Sequence, residues 1–251
     1  MAQASGSSRK TSERVSTERK EASTAQTELD TLLVHIELTL ISIIQAVALT
    51  FLVDHSYDVL VSFRITFWPY AFTGLLVILL FWSRSVVHTL TVIRWPLDLI
   101  HNFMYIACTL VEAVTFTQLM NTLNWYALNA LFGLMAWVLF AFDLRMIRRR
   151  IIDSSGPTGS RLYAIVEREQ RLNLKLFMPA TVVFNLLAMI LVRSRTVFFI
   201  EGGNHVIIAL VQLAAALGYL LYVMRFSARI LPLVVKMRQE WREGVLPEER
   251  K

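Results

Sequence analysis

Residues 123–150 read LNWYALNALFGLMAWVLFAFDLRMIRRR, twenty residues without a charge followed by Asp143 and four arginines. A hydrocarbon core about 30 Å thick is crossed by about 20 apolar helical residues rising 1.5 Å each. Residues 123–142 are therefore predicted to span a membrane. The run Arg145, Arg148, Arg149 and Arg150 is the kind of flank that stops transfer and contacts anionic lipid. Working outward, the same length and apolarity recur at 32–53, 66–82, 97–119, 176–192 and 205–224. The expected fold class is an all-α integral membrane protein with six transmembrane helices.

Composition agrees. Of 251 residues, 55% are hydrophobic and 18% charged, with a mean hydropathy of +0.52; a soluble domain carries about 25% charged residues. Nine Gly, six Pro and one Cys exclude a collagen-like chain and a disulfide scaffold. The net charge of +6 resembles a nucleic-acid signal until the cations are placed. Twenty-two of the 25 Lys and Arg fall on alternate inter-span segments, which puts both termini on the cytoplasmic side and makes the excess a topology signal. No nucleic-acid partner is expected.

Residues 1–30 mix both charges with Ser, Thr and Ala and are expected to be a disordered tail ahead of a transmembrane domain at 31–224. In the cytoplasmic loop 143–175, the breakers of residues 154–160 (SSGPTGS) precede an amphipathic helix at 161–175, which runs toward a kink or restart at Pro179. Residues 225–251 form a second basic amphipathic segment, with Arg229, Lys236, Arg238 and Arg242 between apolar residues. Arg148, Arg149, Arg150 and these four are the expected lipid or partner contacts. Trp68, Tyr70, Trp125 and Tyr126 at the outer side, with Trp82, Trp95, Tyr219 and Tyr222 at the inner side, read as interfacial anchors.

The third span carries the chemistry. At 100° per residue, Asp98, His101, Asn102, Tyr105, Thr109 and Glu112 share one face, while Leu99, Ile100, Phe103, Leu110, Val111 and Val114 cover the rest. A central charge costs about 2.5–3.5 kcal/mol on insertion, against about 0.3–0.6 gained per Leu or Ile. That face should turn inward, and an intramembrane acid such as Glu112 points to an ion or proton path. The alternative is hydrogen bonding of Glu112 to Gln45, Asn129, Asn185 or Gln212.

Asp98 and His101 are spaced i, i+3, as in some carboxylate and histidine metal pairs, and His35 is expected at the same depth. They form a weak metal or haem ligand set, with nothing to complete a di-iron or multi-haem centre, so no cofactor is expected. His88 is read as an inner-loop residue, and His55 and His205 as outer-surface ones. His35, Thr39 and Ser42 share a face of the first span with Gln45 beside it, while Glu37 points away and snorkels. Asn129, Ala136 and Asp143, and likewise His205, Gln212 and Tyr219, recur every seventh residue, a seam suited to helix packing, with Ala214 and Gly218 as a small-residue pair.

No P-loop, TVGYG filter, G-x-S-x-G or H-E-x-x-H motif occurs, and Cys108 has no cysteine partner. No enzymatic role is expected. The leading expectation is cation or proton translocation by a small oligomeric channel or carrier. Its path would run past Glu112, Asp98, His101, Asn102, Thr109, Gln45 and Gln212, with Asp54, Asp58 and Glu201 at the outer mouth. The alternative is a non-catalytic subunit of a membrane complex.

Overall fold

The computed structural model describes residues 5–91, 99–153 and 157–242, and every regular element among them is helical. These elements are α1 (Ser5–Val61), α2 (Trp68–Thr91), α3 (Leu99–Phe116), α4 (Thr122–Asp153), α5 (Pro157–Leu172), α6 (Met178–Ser194) and α7 (His205–Arg242). Six stretches are long and apolar enough to cross a membrane: Thr31–Val61, Ile65–Thr91, Leu99–Phe116, Thr122–Arg149, Thr158–Ser194 and His205–Met237. The chain is an integral membrane protein with six such helices among its described residues.

Several boundaries differ from expectation for local reasons. The polar segment expected to be disordered is helical from Ser5, extending the apolar span backward through Ala, Glu, Lys and Arg, residues with good helix propensity. α4 continues past 142 to Asp153, since no breaker interrupts it until residue 154, and α7 continues past 224 to Arg242 with Pro232 inside the helix. α5 joins α6 through a π-helical turn, Asn173–Phe177, that ends just before Pro179. Proline supplies no N–H to the preceding turn, and the wider turn absorbs the missing bond.

Consecutive membrane helices run in opposite directions. Tyr70 at the start of α2, Trp125 and Tyr126 at the start of α4, Phe199, and Ala209 near the start of α7 share one apolar cluster. At the other end, Val87 of α2, Ile147 of α4 and Phe226, Ile230 and Val234 of α7 pack against Leu162, Tyr163 and Val166 of α5. α5 thus lays its apolar face under the bundle. Backbone-close packing pairs α4 with α3 and α6, α1 with α2 and α3, and α2 with α7. α6 and the π turn before it meet α7 through side chains, as in the Asn185–Gln212 bond and the Phe177–Tyr219 ring pair.

Two glycines set the close approaches. A Cβ on Gly74 would lie 2.9 Å from Leu52 Cδ1 and 3.0 Å from Phe116 Cε1, and one on Gly133 would lie 3.2 Å from Val182 Cγ2. The expected small pair, Ala214 and Gly218, is instead exposed, and nothing lies within 4 Å of a Cβ on Gly218, which borders an open cavity. The aromatic anchors also need correction. Tyr70, Trp125 and Tyr126 are fully buried; the Tyr70 hydroxyl meets His205 Nδ1 and Trp125 Nε1 donates to Gln212 Oε1, so burial costs these two little. Trp82 is exposed as expected of a belt, and Trp95 lies outside the described residues.

Candidate functional site

α3 presents its polar face to the interior. His101, Tyr105, Thr109 and Glu112 are buried, while Leu99, Ile100, Phe103, Leu110 and Val114 are exposed. Its lower end opens onto a cluster built by four helices. His88 of α2, His101 of α3 and Asp143 of α4 converge, with His88 Nδ1 3.8 Å from Asp143 Oδ2 and His101 Nε2 3.6 Å from Asp143 Oδ1. The two imidazoles meet edge to face at 4.6 Å. The three ligand atoms lie within 4.8 Å of one another, and all three residues are buried.

α5 closes this cluster from below. Arg84 of α2 donates to Glu169 and, at 2.7 Å, to Gln170 Oε1, and its guanidinium lies over the Phe140 ring. The Gln170 amide nitrogen donates to the Phe140 carbonyl at 3.0 Å and reaches Asp143 Oδ2 at 3.4 Å. Asn173, in the π turn, donates to Glu169 Oε1 at 2.6 Å and accepts from the Tyr219 hydroxyl at 2.7 Å. Opposite charges and filled hydrogen bonds are what make such burial tolerable.

Nearer the other end of α3, Gln45 of α1 donates to Thr109 Oγ1 at 3.2 Å and approaches Glu112 Oε2 at 3.5 Å. Glu112 is 1% exposed, and its Oε1 has no hydrogen-bond partner. Between these groups and the cluster below, Asn102 donates to Glu37 Oε2 at 3.2 Å. A separate chain links Trp125 Nε1 to Gln212 Oε1 and Gln212 Nε2 to Asn185 Oδ1, each at 2.9 Å. Beside it a largely apolar cavity of about 670 Å³ separates α2, α4, α6 and α7, with Arg84 and Tyr219 at one end and Asn129 and Gln212 at the other.

No known protein family, curated protein or solved structure matches this chain. Its own geometry is what bears on function.

The structure brings together some of the expected residues and separates others. Gln45, Thr109 and Glu112 meet, and Asn102 and His101 lie on the same interior face. Gln212 belongs to the Trp125 chain and Asn129 donates to the Trp125 carbonyl, so neither they nor Asn185 is bonded to Glu112. His35 is exposed on α1, as are Thr39 and Ser42, whose hydroxyls turn back to the carbonyls of His35 and Leu38. The helical phase that buries Gln45 and Glu37 turns these three outward, so His35 is no ligand beside His101, and Glu37 is buried instead of snorkelling. Asp98 lies outside the described residues.

His88 belongs to α2 and takes the place that His35 was expected to fill, because α2 extends to Thr91. His205 is buried, its Nδ1 2.9 Å from the Tyr70 hydroxyl. Asp54, Asp58 and Glu201 are exposed at the end marked by Tyr70 and His205. Arg149, Arg229 and Lys236 are exposed and Arg148 pairs with Glu167; the side chains of Arg150, Arg238 and Arg242 lie outside the described set. Arg84, Glu169, Gln170 and Asn173 escaped the sequence reading. One signal was available: the apolar face of α5, Leu162, Tyr163 and Val166, continues at helical spacing into Glu169, Gln170 and Asn173, so those polar groups had to point inward.

Proposed function

We propose that this protein moves a cation or proton across a membrane through the interior bounded by α1, α2, α3 and α4. One observation carries the reading: two buried, acid-centred groups, Asp143 with its histidines and Glu112 with Gln45 and Thr109, both border the inward face of α3. His101 and Glu112 are eleven residues apart in α3, about 16 Å along a helix. Acids held at such depth are costly, and their default role is in ion or proton pathways. Asp54, Asp58 and Glu201 would give the outer end a cation-attracting field. The distribution of Lys and Arg supports a cytoplasmic-membrane protein with both termini inside. On that side Arg148, Arg149, Arg229 and Lys236 would meet anionic lipid, with α5 and the end of α7 as amphipathic elements.

The test is flux in sealed liposomes under an imposed proton or cation gradient. Wild-type protein is expected to conduct, and Glu112→Gln to change the rate by tenfold or more. Unchanged flux removes Glu112 from the path, and a silent wild-type protein ends the reading.

A second reading, a subunit of a homo-oligomer or larger membrane complex, is favoured by the outer face of α1. His35, Thr39 and Ser42 are exposed where lipid would otherwise lie, and Ala214 and Gly218 are exposed on α7. Small and polar residues on a membrane helix suit another helix better than acyl chains. Native mass measurement in mild detergent decides it: a monomer argues against both forms, and added chains or multiples of 28.8 kDa support one or the other.

A further inference from the structure

We propose that His88, His101 and Asp143 bind one divalent first-row transition-metal ion. Three helices each deliver one ligand-type side chain to the same buried point. The contacts of 3.6 and 3.8 Å between the imidazole nitrogens and the two Asp143 oxygens are longer than hydrogen bonds, which fall at about 2.7–3.2 Å. They approach the ligand-to-ligand edge of about 3.3–3.4 Å that a tetrahedral ion with bonds of about 2.0–2.1 Å requires, and because one ligand atom from each residue lies within 4.8 Å of the others, the side chains would draw together around the ion. The two rings address different oxygens of one carboxylate and stop short of both. Asp143 Oδ1 has no hydrogen-bond partner, an unusual state for an acceptor buried in the chain. A cation between the three groups would satisfy it.

The donor set selects the class of ion. Two imidazoles and one carboxylate suit Zn²⁺, Fe²⁺ and their neighbours, while Ca²⁺ and Mg²⁺ take oxygen ligands. Three protein ligands leave a further position for an exogenous one. The surroundings are also those of a metal site. Gln170 is fixed by its bonds to Arg84 and to the Phe140 carbonyl, and from there its amide faces Asp143 Oδ2. Such outer contacts orient a ligating carboxylate. Arg84, the cation close by, is paired with Glu169, which reduces its opposition to a second positive charge. The site makes no demand on Glu112 and stands whether or not the bundle conducts.

The test uses the full-length chain in detergent, freed of any affinity tag and stripped with chelator, then titrated with Co²⁺ and followed by its visible absorption. One Co²⁺ per chain is expected, displaced by Zn²⁺. His101→Ala and Asp143→Asn should each weaken binding at least about 100-fold, and Gln170→Leu about 10–100-fold, the usual effect of losing an outer contact. His55→Ala, which removes a histidine elsewhere, should bind as wild type. Should either ligand variant aggregate, His88→Gln replaces it. Absence of stoichiometric Co²⁺ binding by the wild-type chain overturns the proposal by itself. So does binding that survives unchanged in the ligand variants, or that is lost in His35→Ala instead.

Discussion

Arg84 shows how a single charge is kept inside this bundle. Its guanidinium has Glu169 and Gln170 as acceptors and the Phe140 ring beneath it, and Asn173 shares Glu169. Removing one member of a buried pair leaves the other without compensation. Arg84→Ala should therefore lower unfolding stability in detergent by about 3–5 kcal/mol, whereas the paired replacement Arg84→Met with Glu169→Met should cost far less. A double-mutant cycle on thermal unfolding checks this, and equal losses in the single and paired variants would refute it. Tyr219→Phe removes only a donor to Asn173 Oδ1, and a smaller loss of about 1–3 kcal/mol is expected from the acceptor left behind. These partners were hidden from sequence reading because Arg84 and Glu169 are 85 positions apart. No local periodicity links residues on different helices; His88 and Asp143 illustrate the same limit, and only the third span, whose polar groups share one helix, declared itself.

Elements were more legible than contacts. Each span announces itself by length and apolarity, because the bilayer demands both of any helix that crosses it. Helix phase was legible where one face was polar throughout, as in α3, and misleading in α1, where Thr39 and Ser42 satisfy their hydroxyls on their own backbone and need no inward partner. Glycine positions give a test at this scale. Gly74→Val should cost about 1–3 kcal/mol by forcing α2 away from Leu52 and Phe116. Gly218→Ala, with open space around it, should stabilise by about 0.5–1 kcal/mol through the helix interior alone. Thermal unfolding of the two variants should shift in opposite directions, and a destabilised Gly218→Ala would mean that this face is already occupied by another helix.

At the scale of the molecule, the two apolar clusters place residue 62 and residue 160 at opposite ends of the bundle, both exposed. With Cys108 replaced by Ala, a cysteine at Ser62 should react with an impermeant maleimide on intact cells, and one at Ser160 only after permeabilisation. The reverse pattern would invert the proposed topology. The long reach from Arg84 to α5 has a consequence for biogenesis. During synthesis α2 enters the bilayer while Glu169 is still unmade, so the ribosome must add 85 residues before the guanidinium meets its counter-charge. Until then the nascent chain carries an uncompensated cation at the membrane face, its counter-charge still to come on a segment three helices downstream.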